Sequence, residues 1–177
     1  MSIEIFEGNP PTQLTFTFPD DWAVSQFDSS RFYRERIDRL NGMKAVDILA
    51  AKGNRLILME VKDFRGHSRE NLRRQTSGTL LIEVAQKFVC TLSALVGAQR
   101  SGLPEFAPFY PPLEHSRKVQ MILFLERDEH SPGFLHEKRL TLADFKSKLR
   151  RLLVAYDVRC QVYDRAHLPK GIEWRVE

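Results

Sequence analysis

Three ionisable residues stand inside two of the most apolar stretches of this chain: Asp47 in Ala-Val-Asp-Ile-Leu-Ala-Ala, and Glu60 and Lys62 in Leu-Ile-Leu-Met-Glu-Val-Lys. An ion buried without a partner costs several kcal/mol, against a domain stability of only about 5–15 kcal/mol. Such residues need a task. Both stretches read as β-strands, residues 45–51 and 55–64, joined by a tight Lys52-Gly53-Asn54 turn whose Gly and Asn tolerate positive φ. Side chains alternate along a strand, so Glu60 and Lys62 share a face, and Asp47 can lie beside them on the neighbouring strand. Two carboxylates and one ammonium then converge at the end of a sheet. Carboxylate oxygens suit a hard cation such as Mg2+ (or Mn2+), which keeps several waters and binds substrate phosphate. The lysine can hold a water or stabilise charge growing on a phosphorus oxygen. A plainer arrangement uses the same residues: Lys62 paired with Asp47 or Glu60 in a buried ion pair that holds strand register.

The pattern Asp47 followed by Glu60-Val61-Lys62 resembles the D…(D/E)-x-K signature of the PD-(D/E)XK nuclease superfamily, the restriction-endonuclease-like fold. Its phrasing, Val-Asp-Ile-Leu and then Leu-Met-Glu-Val-Lys, is that of resolvase-like and repair-type members, with Val46 where the family name has proline. The resemblance implies a metal-dependent nuclease that hydrolyses phosphodiester bonds, in DNA in preference to RNA, with a homodimer as one working form. It assigns Asp47, Glu60 and the Val61 carbonyl to the metal, and Lys62 to the attacking water or the transition state. It adds an acidic residue on the first helix, for which Glu35 is the candidate, and a Gln or Lys from the long helix, for which Gln86 and Lys87 are candidates. Ordinary surface roles compete for these three, and Glu35 has Arg31 and Arg39 at helical spacing. The alternative function is a nuclease-fold protein that binds nucleic acid or a protein partner without cutting it. A further alternative is an unrelated α/β protein in which the three residues form a structural ion network.

Directly after Lys62 the chain carries Arg65, Arg69, Arg73 and Arg74, which leave the sheet at the proposed site and can grip phosphates bidentately. A solvated charge cluster is the other reading.

The elements that must position these residues follow from periodicity. Residues 13–18 alternate, with Leu14, Phe16 and Phe18 on one face, as a half-buried strand at a sheet edge. Asp28-Ser29-Ser30 can cap a helix over residues 31–40 that turns Phe32, Ile37 and Leu40 inward. Residues 78–97 form a long apolar helix, 117–126 a central strand, 141–156 a helix capped by Thr141, and 157–164 a last strand. Residues 102–115 are a Pro- and aromatic-rich connection, and residues 171–176 a short edge piece. The alternation predicts an α/β fold with a mixed central β-sheet flanked by helices, the restriction-endonuclease-like core. That core has three antiparallel strands between its helices, so a third strand is expected around residues 22–27, before the first helix. The chain is one domain: an N-terminal extension to residue 27, the core with the metal motif over 28–127, and a helix and strand over 128–177.

Composition excludes little. Lys and Arg number 27 against 23 Asp and Glu, a net charge of +4, which is compatible with nucleic acid without demanding it. The five histidines form no metal spacing, and Cys90 and Cys160 read as reduced core residues. The acidic start carries no signal-peptide pattern and no apolar run suggests a membrane span, so the cytoplasm is expected.

Overall fold

The structure, a computed structural model, describes residues 2–66, 78–114, 119–127 and 140–177. The predicted hairpin is present: β4 (Ile48–Lys52) and β5 (Arg55–Asp63) pair antiparallel from Ile48↔Met59 to Lys52↔Arg55. Gly53 alone takes a positive φ, +56°, as a type II′ hairpin turn needs; Asn54 does not. The third antiparallel strand exists as β3 (Ala23–Gln26), in register Gln26↔Ile48 with β4. It precedes the first helical turn, so the three antiparallel strands are interrupted rather than continuous.

On its other edge β5 pairs parallel with β6 (Val119–Glu126), and β6 pairs parallel with β7 (Arg159–Tyr163). The sheet order is β3-β4-β5-β6-β7, with β5 the joint between an antiparallel and a parallel half. Parallel neighbours require crossovers, which are α1 (Thr79–Arg100) and α2 (Leu142–Leu152). The α1 sequence is apolar enough by length and composition to cross a bilayer, yet Leu81, Val84, Phe88 and Leu95 are buried against the sheet. Thr141 caps α2 in a capping box with Asp144, as its position predicts.

Two expectations need correction. The helix expected over residues 31–40 is little more than one π-helical turn, Tyr33–Ile37, in which the Asp38 N–H donates to the Tyr33 carbonyl at 2.9 Å. Phe32, Tyr33 and Ile37 pack on the core, while Leu40, beyond the end of the helical residues, is 56% exposed. The predicted strand at residues 13–18 is β2 (Leu14–Pro19), but it does not extend the main sheet. It forms a second sheet, order β1-β2-β8, with β1 (Ser2–Glu7) and β8 (Arg175–Val176).

The five-stranded sheet is therefore covered on both faces. Leu49, Leu56 and Leu58 pack toward the helices, while Ile48, Ile57 and Met59 pack toward Phe16, Phe18 and Trp174 of the second-sheet layer. The proline-rich connection folds as two 3-10 turns whose Phe106 and Phe109 are buried, with Phe106 edge-on to Phe27 at 5.4 Å.

Candidate active site

Alternation along β4 and β5 fixes the face on which the charged residues stand. Leu49 and Leu58 are cross-strand partners facing the helices, and one more step of the same register sets Asp47 opposite Glu60. Asp47, Glu60 and Lys62 thus share the α1 face at the C-terminal end of β5. The Val61 N–H donates to Asp47 Oδ2 at 2.6 Å. A strand residue's N–H and C=O point to the same side, so the Val61 carbonyl also faces the edge that β4 leaves open.

Glu60 has no exposed surface. Its Oε1 lies 2.8 Å from Lys62 Nζ and 2.7 Å from Lys87 Nζ, and its Oε2 has no hydrogen-bond partner. Burial, then repulsion from Asp47, raises its pKa to about 7 against the pull of the two lysines. Lys87 also reaches Asp47 Oδ1 at 3.5 Å, and Lys62 reaches Glu83 Oε1 at 3.6 Å. Burial alone would lower the Lys87 pKa, but Glu60 and Asp47 outweigh it and the net shift is upward.

The α1 backbone is tied to the same spot. The Val46 N–H donates to Thr91 Oγ1 at 3.0 Å, and the Thr91 hydroxyl donates to the Lys87 carbonyl at 2.8 Å. The residue before Asp47 is thereby linked to the backbone of the residue whose ammonium bridges Asp47 and Glu60.

Sequence reasoning missed two further carboxylates. Gln26 Nε2 donates to Glu7 Oε1 at 2.9 Å and to the Phe6 carbonyl at 3.2 Å, drawing the end of β1 onto β3. The Glu7 pKa rises to about 7, through burial first and then through Asp47. Asp28 is raised too, again by burial and then Asp47. Asp28 does not cap the helical turn; Ser30 Oγ accepts the Tyr33 N–H instead, at 3.1 Å. The alternation Ile3-Ile5-Glu7 in β1, burial exposed-out and half-buried-in, was the available signal for Glu7.

Other candidates lie apart. Glu35 is exposed and pairs with Arg31 at 2.9 Å, so the extra acidic neighbours of Asp47 are Glu7 and Asp28 rather than Glu35. Gln86 is exposed, while Lys87 next to it points in. Arg65 is held by Asp63 at 2.6 and 2.9 Å and by the Thr12 carbonyl at 2.6 Å, which fastens the end of β5 to the β1–β2 connection. Arg69, Arg73 and Arg74 lie outside the described residues.

Among the described residues no three His, Cys, Asp or Glu side chains are grouped to hold a metal ion. The donor set on hand is two carboxylates, Asp47 and Glu60, beside the Val61 carbonyl. All are oxygens, and Glu60 Oε2 is a buried acceptor without a hydrogen-bond partner. That chemistry fits a hard divalent ion completed by water. No protein-family model, curated protein or solved structure matches the chain.

Proposed function

We propose that this protein is a metal-dependent nuclease of restriction-endonuclease-like type, hydrolysing phosphodiester bonds in nucleic acid, DNA in preference to RNA. The reading is carried by one observation: a fully buried Glu60, facing Asp47 across the hairpin, with Lys62 on the same face. Packed hydrophobic residues would stabilise a sheet at least as well as this set, so stability alone does not account for it.

Asp47, Glu60 and the Val61 carbonyl would hold Mg2+ or Mn2+. Such an ion supplies a water of lowered pKa and offsets charge on the scissile phosphate. The Asp47 carboxylate is oriented by the Val61 N–H, which leaves Oδ1 for the cation. Lys62 has its ammonium on Glu60 and places one positive charge beside the point where a phosphate oxygen becomes more negative. Past the ends of β5, β6 and β7 stand Arg65, Arg127 and Arg165, lining a cleft of about 1100 Å3. Glu126 and Asp164 line the same cleft, with Arg65 paired to Asp63 and Arg165 to Glu126.

The test is incubation of purified protein with plasmid, linear and single-stranded DNA and with RNA, in Mg2+ or Mn2+ and in chelator. Cleavage is expected with metal and not with chelator. Asp47→Asn keeps an acceptor for Val61 yet is expected to slow cleavage on the order of 1000-fold, about 4 kcal/mol. Lys62→Ala is expected to act in the same direction. Cleavage that survives both substitutions overturns the assignment. A second reading, a nuclease-fold protein that binds without cutting, is favoured by the Lys87 ammonium between the two carboxylates. Tight nucleic-acid binding by the parent protein with no cleavage in any metal would select it.

A further inference from the structure

Lys87 sits where a divalent ion would have to go. Its Nζ is 2.7 Å from Glu60 Oε1 and 3.5 Å from Asp47 Oδ1, spanning both carboxylates. Neither Glu60 oxygen touches solvent, so no hydrated cation can approach Glu60 while both ammoniums are in place. Of the two lysines, Lys62 has a second carboxylate to retreat to, Glu83, at 3.6 Å. Among the described residues the ion pairs of Lys87 are with the two carboxylates that the metal needs, and its charge also acts on Asp28. The Lys87 side chain is 14% exposed and lies on one turn of α1 whose carbonyl is fixed by Thr91, so the backbone can stay while the long side chain swings out.

We propose that Lys87 is an exchangeable counter-ion: it holds the Asp47–Glu60 pair together in the metal-free protein and is displaced when a divalent cation binds. The inference rests on the nuclease reading and adds a regulatory element to it. Filling the pair with an ammonium keeps two facing carboxylates from repelling one another, which lets the sheet fold before metal is acquired. It also sets the metal affinity, because apparent affinity falls by the fraction of molecules in which the position is open. Lys87 itself does no chemistry in this scheme.

The experiment is calorimetric titration with MnCl2 or MgCl2, without nucleic acid, of the parent protein, Lys87→Met, Lys87→Gln and Lys62→Met. Circular dichroism confirms folding, and the glutamine variant stands in if the methionine variant does not fold. If the position is open less than about one-tenth of the time, the Lys87 variants bind metal at least tenfold more tightly than the parent. Lys62→Met removes the same charge and is expected to gain less. A second readout is acetylation of the parent with an amine-reactive reagent, read residue by residue by mass spectrometry: labelling of Lys87 rises when saturating Mn2+ is present. Equal or weaker metal binding by the Lys87 variants overturns the proposal, and so does Lys87 labelling that is unchanged or reduced by metal. If parent and variants all fold and none binds metal, the nuclease reading falls as well, so the two failures are told apart.

Discussion

Burial first, and then the charges of Asp47, Asp28 and Glu60, raise the pKa of Glu7 to about 7. The folded protein holds the Glu7 proton more tightly than the unfolded chain does, where the carboxyl titrates near 4.5. Its stability is therefore undiminished below about pH 4.5, falls as pH rises toward about 7, and stays lower above that. Glu60, also raised to about 7, adds in the same direction. Glu7→Gln keeps an acceptor for Gln26 and removes the charge. It is expected to melt a few degrees above the parent at pH 8 and to converge with it at acid pH, at about 2–4 °C for each kcal/mol. Thermal melts across pH check this; a variant that melts lower than the parent at pH 8 contradicts the repulsion.

At the scale of elements, one polar thread ties a helix to a strand. Thr91 is fully buried on α1 and accepts the Val46 N–H at 3.0 Å while donating to Lys87. Thr91→Val keeps the volume and removes the acceptor, leaving a buried N–H beside Asp47 without a partner. That is expected to lower stability by about 1–3 kcal/mol, measured by urea denaturation. It should also weaken whatever the Asp47–Lys87 geometry supports, since the helix then sits less firmly against the start of β4. The apolar repeat of α1 announced a helix lying on the sheet, but Thr91 reads in sequence as one polar interruption among many. Its partner is 45 residues away. The strand β1 was not read from the sequence at all, and nothing local in Ser-Ile-Glu-Ile-Phe-Glu tells which sheet it joins.

At the scale of the molecule, three layers share a single five-stranded sheet, helices on one side and a small second sheet on the other. That second sheet joins the two ends of the chain: β2 pairs with β1 and with β8, and the Thr15 and Glu177 backbones exchange hydrogen bonds at 3.0 Å. Trp174, 1% exposed, lies tilted against Phe16 and Phe18 at 6.0 and 6.2 Å and edge-on to Phe124 at 6.3 Å. Trp174→Ala is expected to cost about 3–5 kcal/mol, a large share of a total of about 5–15 kcal/mol. Loss of the cooperative melting transition, or a fall in its midpoint, reports it. Because β1 delivers Glu7 to the site edge, loosening this layer should also reach the carboxylates, seen as a shift in the pH dependence of stability.

Asp47, Glu60 and Lys62 could be placed on one face from the chain alone because strand alternation and a two-residue turn are local: each residue's side is set by its count from the Gly53 turn. The helix–strand alternation behind a mixed sheet is local in the same sense. What charges do to each other is not. Glu7, Asp28 and Lys87 meet Asp47 from segments dozens of positions away, and Coulomb energy depends on their separation in space rather than along the chain. Glu35, the acidic candidate of the first helix, is exposed and paired with Arg31 instead. The tertiary structure alone decided that Lys87 would join Lys62 on Glu60, with its ammonium reaching Asp47 as well.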